Sequence, residues 1–263
     1  MNTLVLVYII TALLGLCVGS FLNVAILRIP EGESIAFPPS RCPKCKSKIK
    51  WYDNIPLLSY LFLGGKCRNC KNKISLQYPA VELANCLLWI ICVIRFWGIS
   101  PYYAVICMAA CSVLVCIFVI DIHCHLIFYR FQVLLFALAS ASMLTKQGES
   151  AVDRLIGFAA GGILLLVIYL VFLYVVKREG IGIGDIILMA ASGLMVGWQG
   201  LILVMLVSSI SACIVLLAVR IINRIRDRFT EYPFAPFIVL GDLVALFFGE
   251  QIIRWYLNLF IGG

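Results

Sequence analysis

Apolar residues run along this chain in long uninterrupted blocks, separated by short polar or glycine-containing turns. Blocks of this kind read as lipid-spanning helices, for which about 20 residues suffice to cross the hydrocarbon core. Eight are predicted, at about 4–27, 80–97, 102–122, 126–144, 155–176, 185–196, 201–219 and 236–257. The sixth is short for a crossing, so its outer boundary is the weakest. The pattern predicts an all-α, polytopic membrane protein of about eight transmembrane helices, with no fixed-period repeat and no low-complexity segment.

Composition agrees. Of 263 residues, 63% are hydrophobic and 13% charged, whereas soluble domains carry roughly a quarter charged residues; a soluble globular protein is excluded. The first block has no basic residue ahead of it and no small-residue cleavage site, so it is expected to stay as a spanning helix. It holds Gly15-x-x-x-Gly19-Ser20, a spacing that lets two membrane helices touch closely, and Asn23 is expected to face protein.

Charge orients the chain. The net charge is +8, from 21 Lys+Arg against 13 Asp+Glu. Ten of those bases (Arg28, Arg41, Lys44, Lys46, Lys48, Lys50, Lys66, Arg68, Lys71 and Lys73) lie between the first two blocks, with only Glu31, Glu33 and Asp53 among them. The positive-inside rule puts this loop in the cytoplasm. Lys177-Arg178 and the run with Arg220, Arg224, Arg226 and Arg228 then fall on the same side, with both termini outside. Orientation accounts for these bases, so a membrane-lipid environment and no nucleic-acid partner are expected.

Two acids stand out. The stretch Gly180-Ile181-Gly182-Ile183-Gly184-Asp185 ends in a carboxylate at the mouth of a membrane segment, where an ionisable group is costly and marks a functional site by default. Gly182 and Gly184 give a backbone that another chain can approach closely. Asp121 closes the third block. Two whole blocks separate Asp121 from Asp185, so both lie at one membrane depth. A pair of carboxylates sharing a proton can act as base on a water and acid on a carbonyl oxygen. Two separate helix-end acids, Asp185 serving as an N-cap, fit the same spacing.

The basic loop carries Cys42-Pro43-Lys44-Cys45 and, 21 residues later, Cys67-Arg68-Asn69-Cys70. Paired CxxC knuckles resemble a four-thiolate zinc ribbon, in which a structural metal stabilises a fold too small for a core. Free or redox-active thiols are the alternative. The other eight cysteines lie in or beside apolar blocks and behave as small hydrophobes; His123 and His125 flank Cys124, but consecutive residues at a helix end rarely converge on one ion.

Taken together, these residues resemble the type IV prepilin peptidase family, leader peptidases and N-methyltransferases of pilus, competence and type II secretion systems. The resemblance runs from Gly19-Ser20-Phe21-Leu22-Asn23-Val24 and Arg28-Ile29-Pro30, through the CxxC pairs flanking Asn54-Ile55-Pro56-Leu57-Leu58-Ser59, to Tyr78-Pro79-Ala80-Val81-Glu82-Leu83. It continues in Ile120-Asp121, Gly182-Ile183-Gly184-Asp185 and Pro233-Phe234-Ala235-Pro236-Phe237. It implies Asp121 and Asp185 as the catalytic pair, prepilins or pseudopilins as substrates, and a loop that transfers a methyl group from S-adenosylmethionine. It also implies a bacterial inner-membrane location. Three regions follow: a first helix at 1–27, a zinc-binding methyltransferase loop at 28–79 and a seven-helix peptidase domain at 80–263. His123, Phe128 and Tyr129 stand where members often carry acids and a proline, and Ile187 where a lysine is frequent. A proton- or cation-coupled transporter using paired acids is the alternative from another class; a presenilin-like protease would have Tyr before the first aspartate, where this chain has Ile120.

Overall fold

The computed structural model describes residues 2–145, 149–177, 182–223 and 232–260. Gly180 and Ile181 of the glycine stretch, Arg178, and the basic run Arg224, Arg226 and Arg228 lie outside the described residues, as does 146–148 of the turn before the fifth block.

The described chain is helical, with two isolated β-bridges and no strand. Its helices are α1 (Asn2–Arg28), α2 (Leu58–Phe62), α3 (Gln77–Cys92), α4 (Pro101–Cys124), α5 (Tyr129–Met143), α6 (Ala151–Val171), α7 (Ile183–Asn223) and α8 (Ala235–Phe260). Helices α3 and α6 each run on into a wider π turn, Val93–Trp97 and Phe172–Val176. Six helices, α1, α3, α4, α6, α7 and α8, are long and apolar enough to cross a membrane.

The expected eight segments differ from this chiefly in the fourth. The fourth forms only the 15 residues of α5, about 22 Å at 1.5 Å per residue, against a hydrocarbon core of about 30 Å. It starts late because His125 turns the chain into the left-handed region at φ 53 and Phe128 is extended. The sixth and seventh segments lie on either side of a break at Gly197 (φ 73, ψ 176), in the gap between 196 and 201 where hydropathy separated them, and together they make up α7. Only glycine takes that conformation at no steric cost, and a Cβ at Gly197 would stand 2.7 Å from Glu149 Cγ.

The chain packs as two compact units, Met1–Cys116 and Ile117–Gly263. In the first, α1 and α3 approach through the small-residue spacing the sequence pointed to. A Cβ on Gly19 would lie 2.7 Å from Glu82 Cα, and one on Gly15 would lie 3.0 Å from Cys86 Cα. Polar side chains reinforce the contact. Ser112 donates to Asn85 Oδ1 (2.8 Å), Asn85 Nδ2 to Gly15 O (2.8 Å), and Asn23 Nδ2 to Tyr78 O (3.1 Å). Asn23 is 2% exposed, facing protein as expected. Such bonds are made within the protein because lipid offers no substitute.

In the second unit α6 and α7 meet backbone to backbone. A Cβ at Gly157 would lie 2.4 Å from Gly193 O, and one at Gly161 2.6 Å from Met189 O. Helix α8 closes on α7 through Gly241, where a Cβ would stand 2.6 Å from Val204 O, and through a 2.9 Å bond from Ser192 to the buried Asp242. Small residues replace the hydrophobic driving force that lipid removes.

Candidate active site and metal centre

Asp121 sits in the last turn of α4 and Asp185 in the first turn of α7, both in the second unit and both buried, at 4% and 8% exposure. Each carboxylate has a backbone donor. The Ala235 N–H, opening α8, serves Asp121. The Gly182 N–H reaches Asp185 Oδ2 at 3.3 Å, while Asp185 N–H returns a bond to Gly182 O at 3.0 Å. Asp185 lies within electrostatic reach of Asp121, and Asp121 within reach of the His125 side chain. Among the described residues neither aspartate has a lysine or arginine within ion-pair distance, and Asp121 Oδ2 is buried without a partner. Backbone donors therefore hold each acid, as a pair of separate helix-end acids would require. Yet the two also share one electrostatic neighbourhood, with an oxygen left over to bind a proton or a water.

The glycine stretch enters α7 under tight constraint. A Cβ on Gly184 would stand 3.1 Å from Ile127 Cβ, whereas Gly182 is exposed and a Cβ there would stand 3.4 Å from the nearest atom, Asp185 Oδ2. Gln132, 3% exposed on α5, donates from Nε2 to Gly184 O at 2.6 Å. Sequence reading did not identify Gln132. Its one signal was an amide inside an otherwise apolar block, and an amide at membrane depth needs a partner. Of the departures noted above, Ile187 is exposed on α7, while Phe128 and Tyr129 lie at the start of α5.

In the first unit the loop brings Cys42, Cys45, Cys67 and Cys70 together, all four sulfurs within 4.8 Å of one another. Cys42 Sγ and Cys70 Sγ are 3.9 Å apart; a tetrahedral ion with Zn–S bonds of about 2.3 Å would put its sulfurs about 3.8 Å apart. The donor set fits such an ion. Each knuckle aims backbone N–H groups at its first sulfur, from Cys45 and Lys44 at Cys42 and from Cys70 and Asn69 at Cys67. The latter bonds hold the Cys67 thiol below its ordinary pKa, and the Ser47 hydroxyl and N–H hold Cys45 down to about 6. Cys45 and Cys67, so stabilised as anions, are ready ligands, whereas at Cys42 the N–H donors are outweighed by burial and by the neighbouring thiols Cys45 and Cys67, which hold that thiol above its ordinary pKa.

The two knuckles are copies at an offset of 25 residues, a relation that the sequence reading missed. Arg41 bridges Lys48 as Lys66 bridges Lys73. Cys42 N–H donates to Ser47 O as Cys67 N–H does to Asn72 O, and Lys46 and Lys71 both take positive φ, 57 and 59. The signal was present in Arg41-Cys-x-x-Cys-Lys-Ser-Lys-Ile49 against Lys66-Cys-x-x-Cys-Lys-Asn-Lys-Ile74. Arg68 of the second copy forks onto Asp53 in the segment between the two at 2.6 to 3.0 Å, which holds that carboxyl below its ordinary range, and both Arg68 and Lys50 lie over the Tyr52 ring.

Comparison with known proteins follows the same division of the chain. Residues 13–96 match the Bacterial Peptidase A24 N-terminal domain and residues 108–217 the Type IV leader peptidase family. A prepilin leader peptidase/N-methyltransferase of Myxococcus xanthus is 40% identical over 204 residues, 77% of this chain and 60% of that protein. Proteins of the same name from Aeromonas salmonicida strain A449 and Bacillus subtilis strain 168 are 33% and 35% identical; the matches cover 94% of this chain in each case, and 92% and 97% of those proteins. No solved structure matches. With two relatives at 33% and 35% identity matched along nearly their whole length, and both family models matched in order along the chain, the chain belongs to the type IV leader peptidase family.

Proposed function

We propose that this protein is a membrane aspartic endopeptidase that removes the leader of type IV prepilin-like or pseudopilin substrates and then methylates the new N-terminal amine. The observation that carries the peptidase reading is the Asp121–Asp185 pair: two buried acids at the ends of different helices, with an unpartnered oxygen on Asp121. One aspartate, ionised, takes a proton from water, and that water's oxygen attacks the scissile carbonyl carbon. The other gives its proton to the carbonyl oxygen. When the tetrahedral centre collapses, the C–N bond breaks, the leaving nitrogen takes the proton that the first aspartate had drawn from water, and a hydroxyl of the diol returns its proton to the second, so the pair again holds one proton between its members. Gly182 and Gly184 support this by giving the substrate strand a bare backbone beside Asp185, and Gln132 positions that backbone.

Cleavage is assigned to residues 80–263, which contain both aspartates, after a first membrane helix at 1–27. Methyl transfer is assigned to the loop at 28–79, with a structural zinc ion on Cys42, Cys45, Cys67 and Cys70 and S-adenosylmethionine as methyl donor. Zinc supplies the cohesion that a loop without an apolar core lacks. The loop's ten basic residues support a cytoplasmic location at the bacterial inner membrane. No observation favours a coupled transporter, since both acids stand at helix ends and the relatives carry peptidase and methyltransferase names.

The test is co-expression with a prepilin and mass analysis of the product. Asp121→Asn and Asp185→Asn are each expected to abolish cleavage while the protein stays folded in the membrane, because an amide neither ionises nor supplies a carboxylic proton. Wild-type processing by either variant overturns the assignment. Proton or ion movement by the purified protein in liposomes without peptide would favour transport instead.

A further inference from the structure

A cavity of about 730 Å³ opens in the first unit between the thiolate loop and the facing ends of α1 and α3, a size suited to a small-molecule ligand. Its rim is basic, with Arg28, Lys44 and Lys48 among its lining residues, but its floor is not. There Ser20 and Asn23 of α1 face Tyr78 and Glu82 of α3, brought together because Gly19 lets the two backbones meet.

Glu82 is 7% exposed and accepts the Leu57 N–H at 2.8 Å and a hydrogen bond from Ser20. Among the described residues no lysine or arginine pairs with it, although ten bases belong to the adjoining loop. A buried carboxylate is expensive to keep without a partner charge. Asn23 spends its amide protons on Gly19 O and Tyr78 O, and its Oδ1 is buried with no donor. The floor therefore has a buried carboxyl group without a counter-charge and a carbonyl acceptor left unmatched, beneath a rim that would attract a carboxylate. The unmet requirement is for a ligand that is cationic at one point and anionic at another.

We propose that this cavity binds S-adenosylmethionine, with the Glu82 carboxylate as the anion facing its sulfonium. The inference rests on the methyltransferase reading above. The rim bases suit the donor's carboxylate, and Ser20 and Leu57 N–H are positioning groups that hold Glu82 in place. Charge, not shape, separates the donor from its product: S-adenosylhomocysteine carries a neutral thioether, so a Glu82 anion favours the first over the second. That preference empties the site after each transfer.

The experiment measures binding of S-adenosylmethionine and of S-adenosylhomocysteine to the purified, zinc-loaded full chain in detergent by calorimetry. Glu82→Gln keeps the shape and the hydrogen-bond acceptor. It is expected to weaken S-adenosylmethionine by at least about tenfold, as loss of one member of a desolvated charge pair does, and S-adenosylhomocysteine far less. Glu82→Asp, which keeps the charge, is expected to retain most of the preference. Zinc content and the melting temperature report whether each variant is folded. If folded Glu82→Gln preserves the wild-type ratio of the two affinities, the Glu82 assignment is wrong while the methyltransferase reading stands. A wild-type protein that binds neither compound and releases unmethylated pilin sinks that reading itself.

Discussion

Gly184 is the residue at which packing and chemistry meet most directly. A Cβ there would stand 3.1 Å from Ile127 Cβ, about half an ångström or more inside a relaxed carbon–carbon contact. The neighbour is a side chain on a short extended segment, so the strain divides between pushing Ile127 away and pushing the entry of α7 away. Overpacking of this kind costs about 1–3 kcal/mol. The part that matters moves Asp185, one residue on, relative to Asp121. Misplacement by about 1 Å can cost 10²-fold in rate, so Gly184→Ala is expected to slow prepilin cleavage by about tenfold and the bulkier, β-branched Gly184→Val by about 100-fold. Abundance in the membrane should change little. The decisive measurement is the double variant Gly184→Ala with Ile127→Ala, assayed for initial cleavage rate by gel shift and intact mass. Removing Ile127 Cγ1 and Cδ1, which would stand 3.4 and 3.3 Å from the new methyl, relieves two of the three close contacts and leaves the remaining Cβ freer to move back, so the double variant should recover part of the lost rate although Ile127→Ala alone gains nothing. Equal impairment of the single and double variants would show that crowding against Ile127 is not why glycine is needed. The glycine would then matter for substrate approach alone.

Other outcomes follow from the same contacts. Gln132→Leu leaves Gly184 O without its donor, and losing a buried hydrogen-bond partner costs about 1–3 kcal/mol; cleavage should fall about tenfold or more with the pH profile unchanged. Replacing Cys67 and Cys70 with Ser should release the metal, measured as zinc per chain, and abolish methylation before cleavage, giving a mature product about 14 Da lighter for the missing methylene; fully methylated pilin from that variant would show that the thiolates do not hold the loop together. The Arg68 pairing depresses Asp53, so its contribution is present above the ordinary carboxylate pKa of about 4 and lost as pH falls below it. Loop protection against protease should therefore drop below about pH 4 in the parent, and that drop should be smaller in Asp53→Asn.

What the sequence settled was what composition and spacing can settle. Long apolar blocks admit one economical backbone in lipid, the helix, because it satisfies its own polar groups. Hence α1, α3, α4, α6 and α8 appear where hydropathy put them. Gly15 and Gly19 announced a close helix contact, and the CxxC spacing announced a thiolate cluster, since a knuckle is a local structure that needs only a few residues. Asp121 and Asp185 were legible as acids at the ends of membrane segments. Tertiary structure decided what depends on partners distant in the chain. The length of α5 followed from a left-handed turn at His125, and the contact of Gly197 with Glu149 from the packing at the break that hydropathy had already marked in α7. Neither the turn nor the contact is recorded in the hydropathy profile. Gln132 acquired its role from Gly184, 52 residues away, and Glu82 from Ser20 and Leu57. A hydropathy pattern records how much each side chain prefers lipid to water. It does not record which polar group will find which, because that is fixed only when helices dock and every unpaired donor or acceptor at the contact becomes costly.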